Sequence, residues 1–77
     1  MYKLYSSNHC SGCAQVKALF KELKIPFAEL NISESETQKQ FILAQGHRSV
    51  PVLYKDNQYI ATGAVSIIKE INGKSKH

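Results

Sequence analysis

The sequence predicts an α/β fold, with a mixed four-stranded sheet and three helices in the order β-α-β-α-β-β-α. Two observations predict it. Short runs of strand-like alternation recur between segments of helical periodicity, and Asp56-Asn57 marks a tight turn between the last two strands. The first β-α-β is expected to be a right-handed parallel unit, to which the final hairpin adds antiparallel strands. At 77 residues, the chain is expected to be one domain over 1–77.

The first half of the chain supplies two strands and the helix between them. Tyr2–Ser6 and Phe27–Ile32 show strand patterns. The helix begins near two cysteines and ends at Ile25-Pro26, because the residue before a proline is pushed out of the α region. Its apolar face has the spacing i, i+3, i+4, i+7 and consists of Val16, Leu19, Phe20 and Leu23.

The limits of the second helix are predicted from single residues. Ser33, followed three residues later by Glu36, resembles a capping box and predicts the helix start. Gly46 is expected to be the left-handed residue just after the helix end. The aromatic side chains expected in the core are Tyr5, Phe20, Phe27 and Phe41.

The second half is predicted to form the hairpin and the last helix. Its strands are Val50–Tyr54 and Gln58–Thr62. The helix follows Gly63 and ends at Asn72-Gly73. The residues expected to face the core from this helix are Val65, Ile68 and Ile71.

The distribution of charged and apolar residues argues against two classes of partner, nucleic acids and membranes. Ten basic and six acidic residues give a net charge of +4, but the basic residues form no stripe interleaved with aromatics, so we expect no nucleic-acid binding. No apolar run approaches the roughly 20 residues of a membrane span, and the N-terminus is too short and polar for a secretory signal. We therefore expect a cytoplasmic monomer with no membrane partner.

The cysteine pair indicates redox chemistry. Cys10 and Cys13 follow a predicted strand and open a predicted helix, where unpaired N–H groups and the macrodipole stabilise a thiolate. The thiolate is the nucleophile, and a cysteine one helical turn later is near enough to resolve a mixed disulfide. We expect a more exposed Cys10 to attack and a more protected Cys13 to resolve. This dithiol–disulfide oxidoreductase chemistry needs no metal or organic cofactor.

Three other interpretations of the cysteines are weaker. Structural zinc needs a full ligand set, and the other obvious candidates are His9, His47 and His77, with no second paired motif. Inert buried thiols are disfavoured because the pair lies at a helix start. A structural disulfide is also disfavoured, since a bridge across so short a loop removes little chain entropy.

These features resemble the thioredoxin superfamily, and within it the glutaredoxins and the NrdH-type redoxins. The resemblance rests on Cys10-Ser11-Gly12-Cys13, Ser49-Val50-Pro51 and Thr62-Gly63. It implies a thioredoxin fold, a cis Pro51 that faces the cysteines, and a Val50 backbone that pairs with the substrate peptide or with glutathione. From the residues alone, Pro51 is explained as a strand start.

The two branches imply different reductants. Glutathione-using glutaredoxins typically have a basic residue three before the first cysteine, Pro-Tyr between the cysteines, and an acidic residue after two glycines. Those places here hold Ser7, Ser11-Gly12 and Thr62–Ser66. The segment Ala44–Pro51 is similar to that of NrdH-type redoxins, although the tryptophan usual before their Ser/Thr-Gly pair is absent. This resemblance implies thioredoxin reductase as reductant and ribonucleotide reductase as target, with glutathione as the alternative reductant.

The sequence leaves two possible roles open for each of three residues, Arg48, His9 and Gly63. Arg48 either clamps a carboxylate of glutathione or of a partner's tail, or is a solvated loop arginine. His9 either lowers the pKa of Cys10 or is an exposed loop histidine. Gly63 either lets a ligand approach the backbone or starts the last helix. The predicted substrate-binding residues are Arg48, Ser49, Val50, Pro51, Thr62 and Gly63.

Two other functions are compatible with the same fold. The first is an iron–sulfur or metal carrier in which Cys10 from two chains and glutathione hold the cluster. The second is a non-catalytic binding module that docks a partner on the Val50 edge.

Overall fold

The computed structural model describes residues 1–74, which form a four-stranded sheet in the order β2-β1-β3-β4 with three helices. Strands β1 and β2 are parallel, whereas β1–β3 and β3–β4 are antiparallel. The predicted mixed sheet is therefore confirmed. The elements are β1 Tyr2–Ser6, α1 Ser11–Glu22, β2 Phe27–Asn31, α2 Glu36–Ala44, β3 Val52–Lys55, β4 Gln58–Thr62 and α3 Ala64–Lys74.

The two faces of the sheet carry different cores, because neighbouring strand residues point to opposite faces. On the α1/α3 face, Leu4 and Leu53 are fully buried under α1 and α3. The other members of this cluster are Val16, Phe20, Ala61, Ile67 and Ile71. On the α2 face, the next residues along the strands, Tyr5 and Tyr54, pack with Ile42 and Val52.

A one-residue bulge in β4 changes which side chains reach each face. Tyr54 pairs with Tyr59 while Leu53 pairs with Ala61, so Ile60 is the extra residue. Ile60 and Ala61 consequently both pack on the α1/α3 face, and Tyr59 is left against Tyr54 on the α2 face. The turn before this strand has φ of 50° at Asp56 and 72° at Asn57, as the Asp-Asn pair predicts.

The predicted start of α2 is wrong by two residues. Ser35, not Ser33, is the N-cap, and its side chain accepts the Gln38 N–H at 3.4 Å. Ser33 instead accepts the Asn8 N–H at 3.0 Å, so its hydroxyl is used by the loop before the cysteines. The predicted end is confirmed, since Gly46 has a φ of 89° just after the C-cap.

The predicted inner face of α3 is also corrected. Val65 is 71% exposed, whereas Ile67, which the sequence analysis did not select, is fully buried. The helix begins at Ala64, and the Ile67 N–H donates to the Gly63 carbonyl. The inward stripe therefore has the spacing i, i+3, i+4, i+7 counted from Ala64, which turns Val65 outward. This helix continues to Lys74 rather than ending at Asn72-Gly73.

Four smaller predictions also differ from the structure. Phe41 is 40% exposed rather than core, and Leu23 is the C-cap of α1 and 37% exposed. Helix α1 already ends before Lys24, whose φ is 58°. Strand β3 begins at Val52 rather than Val50, because Pro51 has no N–H to donate to the ladder. Within residues 1–74, no helix combines the length and apolar character that a bilayer crossing requires.

Candidate active site

The sulfur of Cys10 lies at the N-terminus of α1 and acts as its cap. Cys10 has extended backbone angles (φ −117°, ψ 103°), and its Sγ accepts the Cys13 N–H at 3.1 Å. The Cys10 carbonyl accepts the Ala14 N–H at 3.2 Å, which is the first bond of the helix. A sulfur in this position faces the unpaired N–H groups and the positive end of the helix macrodipole. The site is therefore built to hold a thiolate.

The two cysteines are joined in a disulfide and differ in accessibility. Their Cα atoms are 5.2 Å apart. Cys13 is only 1% exposed, whereas Cys10 is partly exposed. A partner disulfide can therefore reach Cys10 but not Cys13, which matches the expected division into attacking and resolving cysteine.

The peptide bond between Val50 and Pro51 is cis and lies beside the cysteine pair, as the family resemblance implies. The Val50 carbonyl oxygen is 3.9 Å from the Cys10 Sγ.

Sequence reasoning gave Gly12 no role, but a Cβ added there would lie 3.3 Å from the Ala64 Cβ and 3.5 Å from the Pro51 Cδ. Helix α1 can approach the start of both β3 and α3 because residue 12 has no side chain.

Thr62 and Gly63 are held next to Pro51. The Gly63 N–H donates to the Pro51 carbonyl at 2.8 Å, and Thr62 pairs with Val52 across the sheet. Gly63 has a φ of 91°, a conformation that favours glycine, and its carbonyl begins α3. The structure thus supports the interpretation of Gly63 as a helix start, and it brings Pro51, Thr62 and Gly63 to the same edge of the site.

A groove of about 270 Å³ lies between the loop before Cys10 and helix α2. Three of the predicted substrate-binding residues line it, namely Arg48, Ser49 and Val50. Its apolar floor is formed by Val50 together with residues of α2 and of the loop after β2. The other lining residues are Ser7, Ile32, Lys39, Ile42, Leu43 and His47. Lys39 and Arg48 make the groove cationic, since no carboxylate is among these lining residues.

A network of three polar side chains, which sequence reasoning missed, fixes the loop before Cys10. Asn31 donates from Nδ2 to the Asn8 Oδ1 at 3.0 Å, and its own Oδ1 accepts the Ser33 N–H at 2.8 Å. Ser33 closes the network by accepting the Asn8 N–H. His9 follows with a φ of 59° and an exposed side chain. The exposed placement agrees with the reading of His9 as a surface loop residue.

A second connection missed by the sequence analysis joins β4 to the segment before Pro51. The Tyr59 ring stacks on the His47 imidazole with centroids 5.0 Å apart, and the Tyr59 hydroxyl lies 2.8 Å from the Thr62 Oγ1. His47 Nε2 is also 3.1 Å from the Tyr54 hydroxyl. The contact between Tyr59 and Thr62 depends on the β4 bulge, which places both residues on the α2 face of the sheet.

A charged network joins helix α1, which carries the cysteines and is called the cysteine helix below, to the first two strands of the sheet. The fully buried Ser6 donates from Oγ to the Glu29 Oε2 at 2.7 Å, and Lys17 Nζ lies 2.9 Å from the same oxygen. These hydrogen bonds, first that of Lys17 and then that of Ser6, hold the pKa of Glu29 below its usual range. The network thus links β1, β2 and α1 one turn beyond Cys13.

The zinc alternative gains no support from the described part of the chain. Among residues 1–74, no group of three His, Cys, Asp or Glu side chains is arranged to hold a metal ion. His77, one of the candidate ligands, lies outside the described residues.

Comparisons with known proteins agree with this geometry. Residues 3–60 match the family model described as Glutaredoxin. The chain is 37% identical over 57 residues to the glutaredoxin-like protein NrdH of Lactococcus lactis subsp. cremoris, covering 74% of this chain and 79% of that protein. Among solved structures, the NrdH-redoxin of Escherichia coli has a TM-score of 0.74 at 22% identity, with 82% of each chain covered. Glutaredoxin 1 of Francisella tularensis has a TM-score of 0.76 at 23% identity, with 99% of this chain and 96% of that chain covered.

Proposed function

The chain belongs to the glutaredoxin family, and on that premise we propose that it is an NrdH-like redoxin, reduced by thioredoxin reductase and acting on a protein disulfide. Its chemistry is that of a dithiol–disulfide oxidoreductase, with Cys10 and Cys13 as the redox pair. The observation that carries the proposal is the position of the Cys10 Sγ, which caps α1 beside the Val50 carbonyl.

The reaction follows from this placement. In the reduced protein, the Cys10 thiolate attacks one sulfur of a target disulfide, which forms a mixed disulfide and releases the other target sulfur as a thiolate. Cys13 then loses its proton and attacks the Cys10 Sγ, which releases the second target sulfur. The target gains two electrons and two protons, and the redoxin is left with its Cys10–Cys13 disulfide. Thioredoxin reductase is proposed to reverse this oxidation.

The choice of reductant rests on residues that differ from the glutathione-using pattern. Ser7 replaces the basic residue, and no acid occurs among Ala64, Val65 and Ser66 after the last strand. A bound glutathione would therefore lack the usual acidic partner for its amino group. The relative at 37% identity is named NrdH, and the solved NrdH-redoxin is described as having a thioredoxin-like activity profile. Both support the same reductant.

We further propose that the target segment lies across the edge formed by Val50, Pro51, Thr62 and Gly63. The Val50 backbone would pair with the extended target, beside the Cys10 sulfur. The adjacent groove offers apolar contacts, while Arg48 and Ser49 at its rim offer hydrogen bonds to a carboxylate. These features fit a protein segment, and ribonucleotide reductase is the proposed target, in a cytoplasm that keeps thiols reduced.

The test is reduction of insulin disulfides by the purified protein with two reductant systems supplied separately. We expect turnover with NADPH and thioredoxin reductase to exceed turnover with glutathione and glutathione reductase by about tenfold or more, a difference of roughly 1.4 kcal/mol in barrier. Cys10→Ser should abolish turnover, and Cys13→Ser should accumulate a mixed disulfide with the substrate, visible by mass spectrometry. Equal or faster turnover with glutathione would refute the choice of reductant. Full activity of Cys10→Ser would refute the mechanism.

The proposed cycle uses an external reductant and no bound cofactor. Elemental analysis of the purified protein separates it from the iron–sulfur carrier, which requires bound iron. Partner binding by the Cys10→Ser, Cys13→Ser double variant separates it from the binding module. Only a module would keep its full biological effect without either thiol.

A further inference from the structure

A second cavity, of about 310 Å³, lies on the α2 face between α2 and the β3–β4 hairpin. We call it the tyrosine pocket; it is lined by Lys3, Tyr5, Phe41, Gln45, Tyr54 and Asn57. Lys3 and Asn57 place it towards the start of β1, whereas the cysteines follow the end of that strand. None of its lining residues belongs to the groove beside Cys10. The redox chemistry therefore does not explain this cavity.

The walls of the tyrosine pocket are aromatic. Phe41 stacks on Tyr5 with ring centroids 5.7 Å apart, and Tyr54 packs edge-on against both rings. Phe41 stays 40% exposed, because the nine-residue helix α2 ends three residues later and leaves this part of the sheet uncovered. Such a space accepts a flat apolar group against the rings.

The Tyr5 hydroxyl is the polar group that this cavity leaves without a protein partner. Tyr5 is only 4% exposed, yet no group within residues 1–74 forms a hydrogen bond with its hydroxyl. Every fully sealed polar side-chain atom in that part of the chain does have a partner, so the Tyr5 oxygen must open onto the cavity that it lines. Burial, and to a lesser extent Tyr54, raises the pKa of Tyr5, which keeps the hydroxyl protonated as a donor. Because this hydroxyl is unpaired and reachable from the cavity, it is free to donate to an acceptor that enters there in place of water.

The remaining polar groups around the cavity favour an anion. Lys3 Nζ is 3.4 Å from the Asn57 Oδ1, a long contact that leaves most of the ammonium's capacity free. Gln45 adds amide donors, and none of the six lining residues is acidic. The cavity thus combines a cation, a free phenol O–H and aromatic walls. The carboxylate of Asp56 acts on Lys3 from outside the lining, but it is already paired with the N-terminal ammonium.

We propose that the tyrosine pocket binds a small planar carboxylate. Its flat apolar body packs against the rings of Phe41 and Tyr54, and its carboxylate accepts hydrogen bonds from the Tyr5 hydroxyl and the Lys3 ammonium. A volume of about 310 Å³ suits a ligand at the small end of the usual range. Both polar contacts are charge-assisted, which makes the ionised carboxylate the preferred form over a neutral amide of the same shape.

The test is an NMR titration of the isotopically labelled, oxidised protein with benzoate, compared with benzamide as its neutral isostere. We expect saturable shifts of the backbone amides of Tyr5, Tyr54 and Asn57, with a dissociation constant on the order of 1 mM, as is usual for a ligand of about nine heavy atoms. Benzamide should bind about fivefold or more weakly, since it cannot form an ion pair. The amides of Cys10 and Cys13 should not shift, so the result is independent of the proposed reductant.

Variants then identify the contacts. Lys3→Met and Tyr5→Phe should each weaken benzoate binding about threefold or more. Lys69→Met removes an exposed cation from α3, on the opposite face, and should leave the affinity unchanged. Thermal unfolding of each variant confirms that it is folded before titration. Absence of saturable shifts, equal binding of benzoate and benzamide, or unchanged affinity in both pocket variants would each overturn the proposal.

Discussion

The two faces of the sheet differ in how completely they are covered, and this difference separates stability from recognition. On the α1/α3 face, aliphatic side chains and Phe20 are sealed by two helices. On the α2 face, one short helix covers only part of the sheet, and the exposed remainder carries aromatic rings, cations and both cavities. The sealed face anchors the cysteine helix, while the open face supplies surfaces that a partner can reach.

The largest expected difference between the faces is in the cost of removing an aromatic ring. Phe20 is fully buried and packs edge-on against Tyr2 and Phe27, so Phe20→Ala leaves a cavity and should cost about 3–5 kcal/mol in the free energy of unfolding. Phe41 is 40% exposed, so Phe41→Ala should cost about 1 kcal/mol or less, because water fills the space. Urea denaturation measures both. Similar losses from the two variants would show that the α2 face is as tightly packed as the other.

The same contrast explains how far the sequence alone could predict the molecule. Local sequence signals were sufficient to predict the placement of Cys10 at the start of α1, the end of α2 at Gly46 and the turn at Asp56-Asn57, because each depends on a few adjacent residues. The start of α2 was missed because Ser35 and Gln38 form the same Ser-x-x-Glu/Gln pattern as Ser33 and Glu36. Only the competing bond from Asn8 decides which serine caps the helix.

The rest of the site depends on contacts between distant segments. The cis bond before Pro51 was expected only from the family resemblance, since most X–Pro bonds are trans. The close approach of Gly12 to Ala64 and Pro51 requires knowledge of how α1, β3 and α3 pack. The stacking of Tyr59 on His47 requires the β4 bulge. No local pattern encodes these contacts.

A smaller effect, on the KM for a protein disulfide, is expected from Tyr59 on the α2 face, which contacts the segments that form the proposed target-binding edge. Tyr59 connects His47, just before Arg48, with Thr62, so we expect it to be a positioning residue for the proposed target segment. Tyr59→Leu should raise the KM for a protein disulfide about fivefold with kcat unchanged, a loss of roughly 1 kcal/mol in binding. Because Tyr59 is 50% exposed, unfolding should change by only about 0.5 kcal/mol.

Variants at the same contact separate the stacking from the hydrogen bond. Tyr59→Phe keeps the ring but removes the bond to Thr62, so it should raise KM less than Tyr59→Leu does. Thr62→Val should have no further effect in the Tyr59→Phe background, because the two variants remove the same bond. An unchanged KM in Tyr59→Leu, or a parallel fall in kcat and stability, would indicate a structural role alone.

The smallest expected effect is on the α1/α3 side, where the Glu29 network supports the cysteine helix. The folded-state pKa of Glu29 is lowered by Lys17 and Ser6 from its ordinary value of 4.5. The stabilisation is therefore fully present above about pH 5 and is lost as the pH falls through the folded-state pKa. Since about a third of each partner's side chain is exposed, solvent screening limits this stabilisation to about 0.5–1 kcal/mol.

Glu29→Gln should lower the free energy of unfolding by this amount at pH 7 and by progressively less towards pH 3. Lys17→Met, which leaves the carboxyl in place, should flatten the pH dependence in the same way. If the difference between wild type and Glu29→Gln stays constant over this range, the network does not carry the proton linkage, and the packing of Ser6 alone explains the loss.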